Sequence, residues 1–405
     1  MSRVVQFARS IFCQPGFPGV LAANFALGMA YSFVVPFMSM WGTLHVGMSP
    51  LVFGVFMTIT AVSGIVLSTL LARWSDTHVT RRTMLIVGSL GGILGYLGYA
   101  FITNVVALTL IGSLLLGVAT VNFSQLFAFV REEIARPENV HVDGPFLMSV
   151  LRVAFSLAWT VGPAIGAWVM VTFGYRGIFL GAAGLFTSFL VGVLCFVPHR
   201  AHPPSSAARQ QPLLKVITRR DILANFAGFV LLFAAFNISM MNLPLMVTQE
   251  LGGSTGDVGI IFSIAPVFEV PLMIWFGHLA ARGHQAALIR FGVLMGALYF
   301  AALIFAQTPW QIYPMQLISA VSIAITTNIT ITFFQDLLPG QAGVATSIYS
   351  NSFSGGSLLG YFAFGLLLEP LGHRGVFMLC SALSAVTLVI LLLQKRREES
   401  ALAAA

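Results

Sequence analysis

SVLRVAFSLAWTVGPAIGAWVMVTFGYRGIF (149–179) aligns without a gap on SIYSNSFSGGSLLGYFAFGLLLEPLGHRGVF (347–377) when the chain is shifted by 198 residues. Ser149, Phe155, Ser156 and Gly162 fall on Ser347, Phe353, Ser354 and Gly360, and the turn GYRGIF (174–179) falls on GHRGVF (372–377). From 146 to 179 there are eight identities in 34 positions, well above chance. Close helix packing in lipid selects small residues, which accounts for the shared glycines and serines. It does not account for an Arg-Gly-x-Phe turn in the same register. A weaker match sets LARWSDT (71–77) against FGHLAAR (276–282). The chain therefore reads as a duplication of one helical unit.

Both stretches are apolar throughout, and so is most of what surrounds them. Of 405 residues, 58% are hydrophobic and 8% charged, too few charges to cover a water-soluble surface of this size. Runs of about 20 apolar residues, enough to cross a hydrocarbon core of roughly 30 Å, recur along the chain. They are continuous rather than alternating, so they predict helices and exclude a membrane β-barrel. The expected spans are 19–42, 50–72, 83–102, 105–130, 145–172 and 176–197, then 222–248, 256–280, 285–306, 309–335, 342–369 and 373–394. The Pro-, Ser- and Arg-rich segment 198–220 is the one clear linker. It divides the chain into a first half, 1–197, and a second, 221–405, of six spans each. The expectation is an all-α membrane protein of twelve transmembrane helices in two pseudo-symmetric halves. Prolines near helix starts (Pro18, Pro50, Pro145, Pro309) do little harm, whereas Pro36, Pro163, Pro244, Pro266 and Pro271 are expected to kink their helices.

The net charge of +7 matters through its distribution. Of the 20 Lys and Arg residues, 17 fall before span 1, after the even-numbered spans or in the linker. Arg152 lies inside a span, and Arg176 and Arg374 lie on the opposite side. The positive-inside rule then places both termini in the cytoplasm. Basic residues dispersed over so many loops do not make a nucleic-acid surface. The N-terminus lacks a small-residue cleavage site, so span 1 is expected to be retained. Cys13, Cys195 and Cys380 have neither disulfide nor metal spacing. No Walker-type phosphate loop, HExxH or Gly-x-Ser-x-Gly is present, so neither a cofactor, a metal nor an enzymatic nucleophile is expected.

Ionisable groups at bilayer depth cost about 2.5–3.5 kcal/mol each on insertion scales and therefore mark function. Glu269 sits between Pro266 and Pro271 in span 8, where a carboxyl can take a proton from one side and release it to the other; it is the proton-coupling candidate. Arg152 is a fixed charge, suited to donating hydrogen bonds to a polyol or to pairing with an acid. It shares a helix face with Ser156 and Trp159 at i, i+4, i+7. Asn122 and Gln125 pair in span 4, Asn328 and Gln335 in span 10, Asn237 and Asn242 in span 7, and Asn351 lies in span 11. Amides both donate and accept, as a hydroxyl-rich ligand requires. These ten residues are the candidate substrate-binding set, and an indole such as Trp159 offers a face to a sugar ring. In a packed bundle the same polar residues also hydrogen-bond between helices, so both readings stand.

The loop after span 2 reads Ala72-Arg-Trp-Ser-Asp76-Thr-His-Val-Thr-Arg81-Arg82. An acid at a helix end followed by paired arginines resembles the signature loop of the major facilitator superfamily. The resemblance implies gating roles for Asp76, Arg81 and Arg82. Ala72 replaces the usual leading glycine, one extra residue precedes the arginines, and the second-half position holds Ala281 instead of an acid. Gly162-Pro163-Ala-Ile-Gly166 resembles the glycine–proline element of the superfamily's exporters. LFAFVREE (126–133), LRVAFSLAWTVGP (151–163), NLPLMVTQEL (242–251), FEVP (268–271) and FFQDLLPGQAGVATSIYSNS (333–352) resemble the bacterial sugar efflux transporters of that superfamily over about residues 15–395. This implies a secondary exporter of small sugars or glycosides exchanging them for protons; separately, a monomer is expected. A multidrug or amphiphile:proton antiporter is the alternative, in which Phe and Met would matter more than Asn and Gln. A non-transporting membrane sensor would carry a soluble domain, for which the linker and tail are short.

Overall fold

The computed structural model describes residues 16–75, 79–136, 144–199, 219–338 and 341–404. Among these residues the structure is helical, without a β-strand. That is the outcome lipid imposes on a chain with no water to satisfy free backbone groups.

Nine helical stretches among the described residues are long and apolar enough to cross a membrane. They are α1 Phe17–His45, α2 Pro50–Ser75, α3 Arg81–Phe101, α4 Val105–Ile134, α5 Gly144–Phe196, α6 Arg220–Gln249, α7 Thr255–Ile304, α8 Pro309–Leu337 and α9 Ala342–Ala404. Asn104 caps α4 and Thr80 caps α3 by accepting a backbone N–H, and Ser254 with Asp257 forms a capping box on α7. Pro36 does interrupt α1, which passes through a 3-10 turn at Val35–Phe37 and a π-turn at Trp41–His45. Pro163, Pro244, Pro266 and Pro271 lie within unbroken helix.

Three of the nine stretches are about twice the length of a single crossing, and each contains a glycine with positive φ. Gly174 (φ 68°, ψ −168°) breaks α5 and Gly372 (φ 66°, ψ 172°) breaks α9. Gly283 (φ 90°, ψ 10°) breaks α7. Gly174 and Gly372 are the leading glycines of the two repeated turns, and their backbones agree within 20° in a region open essentially to glycine alone.

The described residues form two compact units. One comprises the chain up to Phe37 together with Ile59 to the end of α5. In it, α5 is a hairpin folded at Gly174 with both arms on α1. Asn24 Nδ2 donates to Leu151 O (2.7 Å), Gly28 packs on Phe155 and Ala158, and Gly162 lies on Ser32, so the first arm runs parallel to α1. Phe33 touches Gly181, Ala23 touches Gly192 and Gly19 touches Phe196, so the second arm runs back. A Cβ at Gly162 would lie 1.9 Å from Ser32 Oγ, and one at Gly166 2.7 Å from the Phe33 carbonyl. The glycine–proline element therefore serves this crossing, where the backbones approach too closely for side chains.

The other unit comprises Met38–Thr58 and α6 to α9. Here α9 folds at Gly372 onto α6 in the same way: Gly356 on Phe233 and Gly360 on Ala234, then back to Asn242–His373 and Gly228–Thr387. Gly360, the counterpart of Gly162, is again at a close approach, 2.8 Å from the Ala234 carbonyl for an added Cβ. The core holds Phe229, Phe233, Val293, Ile325, Phe334 and Ile348. Phe53 meets Phe364 edge-on (6.2 Å), and Gly54 lies against the Gly365 backbone. A further repeat accompanies these contacts: Ala-Asn-Phe-Ala occurs at 23–26 and 224–227. Large apolar side chains such as Leu110, Val171, Ile274 and Phe305 are exposed, as a lipid-facing surface requires.

Candidate functional site

Arg81 is a densely bonded polar residue at the start of α3. As the first residue of α3 it stands where α2 ends and α4 passes. Its Nε and Nη2 reach Glu132 Oε1 (2.9 and 2.8 Å), and its Nη1 donates to Ser75 Oγ (3.0 Å) and Gln125 Oε1 (2.9 Å). Ser75 Oγ in turn donates to Gln125 (3.0 Å). One planar guanidinium thus ties the ends of α2, α3 and α4. Gln125 and Glu132 are seven apart on one helix face, a spacing in the sequence that would have joined Glu132 to the candidates. Arg82 Nη2 donates to Leu194 O (2.8 Å), capping the last turn of α5. Asp76, the acid of this loop, lies outside the described residues.

The amides expected to bind substrate fall into two groups. Gln125 spends its oxygen on Ser75 and Arg81. Asn242, fully buried, donates to His373 O (2.9 Å) and accepts from His373 Nδ1 (2.7 Å), which must carry the proton because the Asn242 NH2 is already committed. His373 Nε2 meets Gln249 (3.2 Å), and Arg374 donates to the carbonyls of Ile304 (2.6 Å) and Ala306 (2.9 Å). The repeated turn at Gly372 is thus fastened to the ends of α6 and α7. Asn122 is fully buried against Gly88, with neither amide atom paired among the described residues.

The second group is more open. Arg152 is exposed on α5 with no side-chain partner among the described residues of its own unit, and Ser156 and Trp159 beside it are half-buried. Asn351 on α9 is exposed. Asn237 donates to Phe233 O (2.8 Å), Gln335 lies 3.4 Å from Thr346 Oγ1, and Asn328 Nδ2 reaches Met273 O at 3.4 Å. Met273 is one helical turn beyond Glu269 on α7, which brings the Asn328 amide to within a turn of that carboxyl. Glu269 is half-buried, with no hydrogen bond or ion pair from described residues of its unit. No group of three or more metal-ligating side chains occurs among the described residues.

Long apolar helices, hairpins folded at glycine and polar groups held on helix faces define a multi-pass α-helical membrane protein. The Major Facilitator Superfamily model matches residues 20–356 and 226–405. The chain is 32% identical over 391 residues to a protein of Deinococcus radiodurans named "Putative sugar efflux transporter", covering 95% of this chain and 99% of that one. It is 30% identical over 376 residues to sugar efflux transporter A of Escherichia coli, covering 92% and 95%. Among solved structures, the nucleoside transporter NupG superposes with a TM-score of 0.77 at 13% identity, covering 93% of this chain and 98% of that one. The chain belongs to the Major Facilitator Superfamily, and it is a transporter rather than an enzyme.

Proposed function

We propose that the chain exports small sugars or glycosides in exchange for protons by alternating access. The observation that carries the cargo is the likeness, over nearly the whole chain, to proteins named as sugar efflux transporters. The chemistry of the site agrees with it. Arg152, Ser156 and Trp159 on α5, and Asn237, Asn328, Gln335 and Asn351 in the other unit, offer the donors and acceptors that hydroxyl groups need. Gln125 and Asn242 are buried members that hold the walls through protein partners, and Asn122 is a buried member whose amide, unpaired among the described residues, is left for the cargo. Glu269 carries the proton, being an acid within a spanning helix and free of a fixed cationic partner in its unit. Asp76, Arg81 and Arg82 form the gate at the α2–α3 loop.

The architecture we propose is twelve crossings in two six-helix halves, 1–197 and 221–405, joined by the linker 198–220. Among the described residues, nine stretches with three internal glycine breaks supply twelve arms, and the matched turns at Gly174 and Gly372 support the pairing of halves. The bias of Lys and Arg supports cytoplasmic termini in a bacterial inner membrane. We further propose that it acts as a monomer.

The cargo is tested with inverted membrane vesicles containing the full chain. Under an acid-inside gradient, labelled lactose or glucose is expected to accumulate, and unlabelled glycosides to compete. Accumulation of lipophilic cations without any saccharide would overturn the assignment in favour of an amphiphile antiporter.

A further inference from the structure

Helix α4 changes character part-way along its length. Before its π-turn at Gly112–Leu116, and within it, the exposed side chains are Val106, Leu110 and Leu114, each more than half exposed. After the π-turn they are Thr120, Phe123, Ser124 and Arg131. A π-turn rotates the residues that follow it relative to those before, and such turns recur at functional sites. The surface that α4 presents thus passes from purely aliphatic to hydroxyl-bearing, and one aromatic ring stands in the second part.

That ring is Phe123, 41% exposed. It is not loose: its centroid lies 4.6 Å from Phe127 and 5.0 Å from Phe155, the latter contact edge-to-face. Phe155 is braced from behind by Gly28 of α1, where no side chain intervenes. On α5, Phe155 is flanked three residues earlier by Arg152 and four residues later by Trp159, so the ring cluster adjoins the Arg152–Ser156–Trp159 face. An exposed guanidinium without a partner in its unit marks a surface in contact with water rather than acyl chains. Phe123 is therefore a braced, exposed aromatic face, packed on the ring that stands one helical turn from Arg152 on α5.

We propose that Phe123, held by Phe127 and Phe155, is the platform on which the cargo's pyranose ring stacks, with Arg152 donating to its hydroxyls. The face of a π-system is electron-rich, and the axial C–H groups on one side of a pyranose are weakly positive, so the two surfaces attract. A flat apolar ring next to a fixed donor selects a molecule with one C–H face and a hydroxyl rim. The inference rests on the sugar-export reading and adds a residue and a mode of binding to it.

The test is counterflow of labelled lactose in proteoliposomes containing full-length F123A, F123L, F123Y or F123W. F123A and F123L are expected to raise KM about tenfold while the maximal rate stays within about twofold, the signature of lost binding. F123Y and F123W are expected to stay near wild type, and F123W fluorescence to shift on adding lactose. Leucine supporting transport as well as tyrosine would make Phe123 a packing residue, and F123W blind to lactose would remove it from the site; either overturns the platform alone. Wild-type liposomes that exchange no lactose would instead overturn the transport reading, which the first arm distinguishes.

Discussion

Arg81 shows how much one side chain is asked to do. Its guanidinium serves three acceptors on two other helices at 2.8–3.0 Å, and only 13% of the side chain is exposed, so solvent replaces little of what a substitution removes. Lysine keeps the charge but not the planar fork, and cannot meet Ser75, Gln125 and Glu132 together. Arg81→Lys is expected to lower the unfolding free energy by about 1–3 kcal/mol, read from thermal unfolding in detergent. Unchanged stability would mean that the fork contributes nothing. The sequence identified Arg81 by its place in a signature loop, and Gln125 by its amide. It did not show that the two bond each other, because a helical spacing places residues on a face without saying which neighbour lies opposite. Glu269 and Arg152 stood out for a simpler reason: an ionisable group in an apolar run is conspicuous.

At the scale of elements, the hairpin turns carry the argument. Gly174 and Gly372 hold a conformation that a Cβ disfavours by about 1–3 kcal/mol, and a Cβ added at either would meet no group from elsewhere in the chain within 4 Å, so strain there is purely a matter of backbone. Gly372→Ala is expected to lower the melting temperature, whereas Gly184→Ala, in a helix with open space around it, is expected to be neutral or to stabilise by about 0.5–1 kcal/mol. Equal effects at the two positions would contradict the backbone account. These turns were legible beforehand as GYRG and GHRG, since an identical turn in the same register needs an identical backbone. The Ala-Asn-Phe-Ala repeat at 23–26 and 224–227 was equally legible and offers a second internal register. The prolines are a different case: the four expected to kink their helices lie inside continuous helix, which a kink leaves continuous. A spanning helix can satisfy the freed carbonyls through its neighbours, which local sequence does not reveal.

At the scale of the molecule, hydropathy alone gave the class, because lipid permits so few backbone solutions. What hydropathy could not separate was lining from packing among the polar residues. Gln125 and Asn242 turn out to be committed to protein partners, while Arg152 and Asn351 remain exposed. The cargo and its coupling are what the proposed function adds, and they meet at Glu269. In proteoliposomes carrying a trapped pH indicator, wild-type protein is expected to move protons when a lactose gradient is imposed, and lactose when a pH gradient is imposed. Glu269→Gln is expected to retain lactose counterflow, which needs no net proton movement, and to lose both gradient-driven responses. The same coupled fluxes in Glu269→Gln as in wild type, or wild-type lactose flux indifferent to the pH gradient, would contradict the account.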